Sequence, residues 1–531
     1  MASESIDSSR GEFQDRSQQG STEDSVPHAA RGVSATPAPM SWFPLGYREG
    51  FSQWWSSIPA AAAEHKVLSY LPYLQHQPPT HLQTGKTASG GNSEAASLQS
   101  ADQSQQSDVA ATSFDDPYGP RRWLSSMVQL SGKNRALNEF SVERVGEQAD
   151  QHLVMLHGYG AGLGFFYKNF EPLSRLQGWQ LHALDLLGMG RSTRPSFRIK
   201  AKEREDAIRE AEDWFVDALE EWRVKRKIER FTLLGHSLGG YIAVNYALKY
   251  PGRINKLILA SPVGIPEDPY AVTAEMPPKQ DQAAIAAEAA AVPPGDAPKG
   301  DNNILLRGPP ADASSSTDRP PRRTVPKWFA YLWEANISPF SLIRWAGPLG
   351  PRLVSGWTSR RFSHLPADEA KALHDYSYSI FSMRGSGEYA LAYILAPGAF
   401  ARSPLIRRIE GVGRQMIPAS VPISSSSSSS SQGSTTSQSR RETGLPVVFL
   451  YGDHDWMDYK GGMAAASKIL KEKRRILENA TPDEREADNG SAKVVMIKNS
   501  GHHVYLDGWE QFNDAVLSEM DEVARRERAR L

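Results

Sequence analysis

The sequence predicts an α/β protein built on a mostly parallel sheet, with helices on both faces and a helical lid inserted late in the chain. Three observations lead there. Short apolar runs of strand length alternate with longer runs whose apolar residues recur at helical spacing, the pattern of a parallel sheet with crossover helices. One strand-to-helix junction reads Leu233-Leu234-Gly235-His236-Ser237-Leu238-Gly239-Gly240, a Gly-x-Ser-x-Gly turn between an apolar run and an amphipathic one. An aromatic-rich stretch, residues 327–410, interrupts the alternation before it resumes.

In chain order, residues 1–113 are expected to be largely disordered. Residues 1–40 are polar and Ser-rich, and 75–113 is rich in Gln, Ser, Thr and Gly. Neither stretch carries enough apolar surface to offset chain entropy. Between them, 41–74 stands out through Trp42, Phe43, Leu45, Phe51, Trp54 and Trp55, followed by Val67, Leu68, Leu71 and Leu74. The first part of the core spans 125–267, with strands expected at 140–145, 152–156, 180–185, 231–234 and 256–260. A helix over 205–227 is expected from the stripe Ile208, Ala211, Phe215, Ala218, Leu219 and Trp222. Residues 268–325, rich in Ala, Pro, Asp and Ser, form a disordered insertion ahead of the lid, 326–412. A Ser-rich disordered insertion, 413–443, separates the lid from the second part of the core, 444–531. Strands are expected there at 446–451 and 493–498, before a helix bearing Trp509, Phe512, Val516, Met520 and Val523 on one face.

A serine at the apex of a strand–turn–helix unit is lifted above the sheet edge. It sits at a helix N-terminus, where amides can hold an oxyanion. Such a serine needs a base and an acid, and the chain supplies both downstream. Val494-Val495-Met496-Ile497 leads into Asn499-Ser500-Gly501-His502-His503. Val447-Val448-Phe449-Leu450-Tyr451 leads into Gly452-Asp453-His454-Asp455-Trp456-Met457-Asp458. The order is serine, acid, histidine. Ser237 is expected to attack an acyl carbonyl, His502 to move the proton, and the acid to fix the imidazole tautomer.

Asp455 is favoured as the acid, with Asp458 and Asp453 as rivals. His503 is the rival of His502, which follows Gly501 and has the freer backbone. His236 is expected to pack beside the serine. Asp185 ends a strand but precedes the serine, so it is read as structural. The oxyanion amides are expected from Leu238 and from the loop His157-Gly158-Tyr159-Gly160-Ala161-Gly162, where Tyr159 is the candidate and Gly160 the alternative. That loop has neither a Gly-Lys-Ser/Thr ending nor a dinucleotide fingerprint, which weakens a phosphate-binding reading.

These motifs, with Asp185-Leu186-Leu187-Gly188-Met189-Gly190-Arg191-Ser192, Glu220-Glu221-Trp222-Arg223, Arg344-Trp345-Ala346-Gly347-Pro348-Leu349-Gly350-Pro351 and Gly501-His502-His503-Val504-Tyr505-Leu506-Asp507, resemble one subfamily of α/β-hydrolases. It comprises the abhydrolase-domain 4/5 proteins of animals and the cardiolipin-specific deacylases of fungi. The resemblance covers most of 125–265 and 325–525. It implies the α/β-hydrolase fold and lipid acyl chemistry: phospholipid deacylation, N-acyl phospholipid hydrolysis, or acyl transfer to lysophosphatidic acid.

The leading expectation is a serine phospholipase that deacylates membrane glycerophospholipids, cardiolipin first, as a peripheral membrane protein of the mitochondrion. An acyl-CoA-dependent lysophosphatidic acid acyltransferase is the alternative, with acyl-CoA as co-substrate. A non-enzymatic lipase co-activator is another, although the presence of Ser237 argues for an enzyme. The subfamily's His-x-x-x-x-Asp acyltransferase motif falls on His502 and Asp507. Asp507-Gly508-Trp509-Glu510 also reads as a capping box for the helix that follows, and that reading is preferred.

Composition sets the outer limits. A net charge of −1 over 531 residues, with no basic run interleaved with aromatics, gives no expectation of nucleic acid. The absence of cysteine excludes disulfides, thiol catalysis and thiolate metal sites. No cofactor or metal is expected. No apolar run approaches the roughly 20 residues that span a bilayer. Glu4, Asp7, Glu12 and Asp15 are unlike an acid-poor presequence, and the protein is read as intracellular. Contact with a membrane surface is expected through the aromatic segment 41–74, whose rings suit the interface. Packing of those rings on the core or lid is the alternative.

Overall fold

The structure is a computed structural model that describes residues 43–72, 109–113, 116–274, 276–277, 332–418 and 440–530. Its centre is a nine-stranded sheet in the order β1-β2-β3-β5-β4-β6-β7-β10-β11. The strands are β1 (Val109–Ser113), β2 (Arg121–Gln129), β3 (Ala136–Arg144), β4 (Gln151–Leu156), β5 (Trp179–Leu184), β6 (Phe231–His236), β7 (Ile254–Ala260), β10 (Pro446–Gly452) and β11 (Ser491–Ile497). From β5 to β11 every neighbouring pair is parallel, while β1, β2 and β3 form an antiparallel edge. A separate two-stranded ladder joins β8 (Met416–Ile417) to β9 (Arg440–Arg441).

Alternation along the central strands builds two cores. Val154 and Leu156 of β4, Leu233 of β6, Leu257 and Leu259 of β7 and Phe449 of β10 face one side. There they meet the helices Arg204–Lys225, Leu238–Lys249 and Tyr459–Glu478. Leu153, Met155, Leu234, Ile258 and Leu450 face the other side, against Tyr167–Leu173 and Trp509–Arg530. A strand apolar on both faces must be covered on both, which is why these runs are near-continuously hydrophobic.

The chain between β7 and β10 carries the lid. Among its described residues are the helices Pro339–Trp345, Gly350–Arg361, Ala367–Phe381 and Leu391–Ile394. Phe362, Leu373, Tyr376 and Phe381 bury against the second core.

Three boundaries differ from the sequence expectation. The core begins before residue 125, because β1 and β2 extend the sheet; the β2 sequence mixes Arg, Ser and Gln among its apolar residues and shows no apolar run. Residues 43–72 are ordered as the helices Tyr47–Ser56 and Ala60–Leu68, with Ala63, Val67, Leu68 and Leu71 buried in the second core. The ends of both insertions are also structured. Asp268 caps the helix Pro269–Thr273 through the Ala271 amide, and 416–417 pairs with 440–441. The remainder of the segments expected to be disordered, with Trp42, Leu74, Trp328, Phe329 and Tyr331, lies outside the described residues.

Candidate active site

Four loops leave the C-terminal ends of parallel strands and meet at one place, as open α/β sheets position their sites. The loop after β4 contributes Gly158 and Tyr159, the turn after β6 contributes Ser237, and the loops after β10 and β11 contribute Asp455 and His502.

Ser237 takes φ +53°, a left-handed conformation strained for a residue with a side chain. The turn is tight enough to need glycine on both sides. A Cβ at Gly235 would stand 2.3 Å from the Gly239 carbonyl oxygen, and one at Gly239 would stand 2.5 Å from that of Leu156. The serine amide donates to the Ala260 carbonyl at 2.9 Å, tying the apex to β7.

His502 bridges the serine and the acid. Its Nε2 lies 3.0 Å from Ser237 Oγ, and its Nδ1 lies 3.1 Å from Asp455 Oδ1. A carboxylate can only accept, so Nδ1 carries the proton and Nε2 is left to accept the serine hydroxyl. Asp455 also accepts from the Met457 amide at 2.9 Å, which fixes its direction.

The other sequence candidates have other duties. Asp458 caps the helix Tyr459–Glu478 by accepting from the Lys460 amide at 2.9 Å. Asp453 accepts from the amides of Asn499 and Ser500 at 3.0 and 3.1 Å and so shapes the histidine loop. His503 points away from the serine: its Nδ1 accepts from Arg361 Nε at 2.8 Å and its ring stacks on Phe165. Burial, then the Arg361 charge, pushes its pKa well down. His236 packs beside the serine, with Nε2 2.9 Å from the His502 carbonyl and a pKa pushed well down by burial.

Asp507 does not cap the following helix, contrary to the preferred sequence reading. It ends the short helix Val504–Asp507, and its carboxylate turns back to accept from the Gly501 amide at 3.1 Å and from Arg361 Nη2 at 2.8 Å. The capping pattern is present in the sequence, but a guanidinium from the lid holds the carboxylate elsewhere.

The loop after β4 abuts the serine. A Cβ at Gly158 would stand 3.0 Å from the Ser237 Cβ, so only glycine lets the Tyr159 peptide approach. Asp185 braces this loop, accepting from the Leu163 and Arg191 amides at 2.7 Å each. His157 donates from Nδ1 to the Gly158 carbonyl at 2.7 Å and accepts at Nε2 from the Leu186 amide at 3.0 Å. Burial holds its pKa down at about 4, so it stays neutral. The Tyr159 ring stacks on Phe340, which stacks on Phe381, so the lid rests on the loop.

Two groups bearing on the site have no local signature in the sequence. Arg361 reaches the histidine loop from the lid. Glu64, on the helix Ala60–Leu68, is wholly buried against Arg191, Asn138 and the Tyr376 hydroxyl. A charged residue in an apolar-faced helix is the one available hint, since a buried carboxylate demands a partner. Among the described residues no group of three or more His, Asp or Glu is placed to hold a metal ion, and no helix is long and apolar enough to cross a membrane.

Comparison with known proteins agrees with this architecture. A family model described as the alpha/beta hydrolase fold matches residues 151–292. The chain is 30% identical over 406 residues to a 1-acylglycerol-3-phosphate O-acyltransferase of Arabidopsis thaliana, covering 75% of this chain and 71% of that one. It is 32% identical over 369 residues to the 1-acylglycerol-3-phosphate O-acyltransferase ABHD5 of Rattus norvegicus, covering 68% and 75%. With a (Lyso)-N-acylphosphatidylethanolamine lipase of Homo sapiens it shares 29% identity over 406 residues, covering 76% and 88%.

Proposed function

The chain belongs to the α/β-hydrolase family, in its abhydrolase-domain 4/5 subfamily, and from that membership we propose that it is a serine acyl hydrolase that deacylates membrane glycerophospholipids. The observation that carries this reading is the line Ser237–His502–Asp455, at 3.0 and 3.1 Å. Ser237 Oγ adds to the ester carbonyl while His502 Nε2 takes its proton, and Asp455 steadies the imidazolium. The amides of Tyr159 and Leu238 hold the oxyanion. Collapse expels the lysolipid oxygen, which takes the proton from His502 and leaves the acyl group on Oγ. Water activated by the same histidine then releases the fatty acid.

The lipid class rests on the named relatives, all of which act on acyl groups of phospholipids or lysophospholipids by their names. Cardiolipin, and with it a mitochondrial setting, leads through the resemblance to the fungal deacylases. A peripheral membrane position is supported by the helix Tyr47–Ser56, where Tyr47, Phe51, Trp54 and Trp55 are exposed beside the exposed Trp345 and Leu349 of the lid. Rings with one wet and one apolar side suit the bilayer interface. The second reading is acyl transfer from acyl-CoA to lysophosphatidic acid, favoured by the names of the plant and rat relatives. In this site it requires that Ser237 take the acyl group from the acyl-CoA thioester, with the CoA thiol leaving on the proton from His502, and that a lysolipid hydroxyl replace water as the acceptor.

The test uses purified protein and Ser237→Ala on vesicles of cardiolipin, phosphatidylethanolamine and lysophosphatidic acid, with and without acyl-CoA, read by lipid mass spectrometry. Serine-dependent release of fatty acid and lysolipid is expected. Acylated lysophosphatidic acid that persists in Ser237→Ala would overturn the serine mechanism.

A further inference from the structure

The backbone from 499 to 503 has no regular structure, yet its peptides are pinned one by one. Asp453 takes the amides of Asn499 and Ser500, Asp507 takes that of Gly501, and His236 meets the carbonyl of His502. Among the described residues, the pin hydrogen-bonded to the lid is Asp507. Arg361, the last residue of the lid helix Gly350–Arg361, donates from Nη2 to Asp507 Oδ1 and from Nε to His503 Nδ1, both at 2.8 Å. His364 Nε2 lies 3.4 Å from the same oxygen. The Arg361 and Asp507 side chains are 13% and 12% exposed, so water competes little with the pair.

A direct partnership between Asp507 and the His502 ring has no room. Both ring nitrogens are committed, Nδ1 to Asp455 and Nε2 to Ser237. The Asp507 carboxylate acts on the histidine through the backbone of its loop, by direct hydrogen bond to the Gly501 amide.

We propose that Asp507 is a positioning residue and Arg361 its lid-borne partner, so that seating of the lid and placement of the His502 ring are one event. The proposal rests on Ser237 and His502 being the reacting pair. The far end of the same lid helix packs against the aromatic helix Tyr47–Ser56, with Gly50 set against Arg352 and the Pro348 carbonyl. Displacement of that face therefore has a rigid path, one helix long, to the histidine loop. A loop released at Gly501 lets the ring drift from Ser237, and proton transfer slows while ground-state binding stays the same.

The experiment follows the rate at which a fluorophosphonate probe labels Ser237, a reaction that needs the serine and its base but no lipid. Wild type, Ser237→Ala, Asp507→Asn, Arg361→Gln, Arg361→Lys and the Asp507→Asn/Arg361→Gln double variant are compared, with thermal melts alongside. The single variants Asp507→Asn and Arg361→Gln are expected to slow the maximal labelling rate about tenfold, with the half-saturating probe concentration unchanged. The double variant is expected to be no slower than the slower single, because both substitutions break one contact. Arg361→Lys is expected to recover part of the rate. Labelling at the wild-type rate in folded Asp507→Asn or Arg361→Gln overturns the proposal, as does a double variant about a hundredfold slow, where the losses multiply. Wild type that fails to label, or Ser237→Ala that labels equally, overturns the serine mechanism instead.

Discussion

The Glu64 carboxylate, on the N-terminal helix Ala60–Leu68, pairs with the Arg191 guanidinium, and both are out of solvent beside Asp185. Asn138 Nδ2 donates to both carboxylates, at 3.1 Å to Glu64 and 2.8 Å to Asp185. One arginine and one amide thus serve two buried acids, and one of those acids braces the loop that carries Tyr159.

Replacing Glu64 by Ala removes the ion pair of the buried Arg191 and leaves the Asp185 charge still acting on it. Breaking one side of a buried pair costs about 3–5 kcal/mol, and the remaining Asp185 favours the lower end. Glu64→Ala is expected to lower the calorimetric melting temperature and slow fluorophosphonate labelling. An unchanged melting temperature would mean that the N-terminal helix is not part of the folded unit.

Asp455 and Asp458 separate cleanly by mutation. Asp455→Asn removes the acceptor that sets the His502 tautomer, and the turnover number is expected to fall roughly 10³–10⁴-fold. Asp458→Ala removes a helix cap and is expected to cost about 1 kcal/mol of stability while turnover changes less than about threefold. Steady-state kinetics on a soluble ester decides, and equal losses from the two variants would reverse the assignment.

Stability is expected to fall on acidification. Burial holds His157 and His374 down at about 4, and pushes His236 and His503 well below their ordinary value. A group with a lowered folded pKa contributes stability above its unfolded pKa near 6.5, and that contribution is lost as pH falls towards the folded value. His157 and His374 each account for about 3 kcal/mol at most. Glu64 and Asp185, raised first by burial, act with the opposite sign: their contribution is present below the ordinary carboxylate pKa and is lost as pH rises through the folded value. His152 and His364 are likewise lowered and Asp213 and Glu442 likewise raised, so among the described residues six lowered histidines stand against four raised carboxylates, and the urea midpoint at pH 5 is expected below that at pH 7.5. A flat or rising midpoint would show that the carboxylates win.

Trp55 is 75% exposed, and Phe51 and Trp54 pack beside it without covering it. Phe51→Ala/Trp54→Ala/Trp55→Ala is expected to cut sedimentation with cardiolipin vesicles at least about tenfold, since each ring adds of order 1 kcal/mol or more of apolar burial. Turnover of a soluble ester is expected to stay unchanged. Equal loss of both would place these rings in the fold rather than at a surface.

The central strands, the serine turn and the order serine, acid, histidine were legible without a structure, because each is written locally. A buried strand is a short apolar run, and a Gly-x-Ser-x-Gly turn needs its glycines within two residues of the serine. Of the antiparallel edge only β3 was legible; β1 and β2 were not, since β2 carries arginines, serines and a glutamine where a central strand carries valine and leucine. Neither was the packing of residues 43–72: their aromatic and apolar residues set them apart from the polar stretches on either side, but whether such residues meet a membrane or bury against the lid depends on what the fold brings beside them.

What only the tertiary structure decided is the direction of side chains on irregular loops. His502 meets Asp455 across 47 residues and Ser237 across 265, while Asp507 meets Arg361 across 146. Asp455 and Asp458 are three residues apart and chemically identical, and either could serve by sequence. A strand or helix sets a side chain's direction by its own periodicity, whereas a loop has none. Its carboxylates point wherever distant donors hold them.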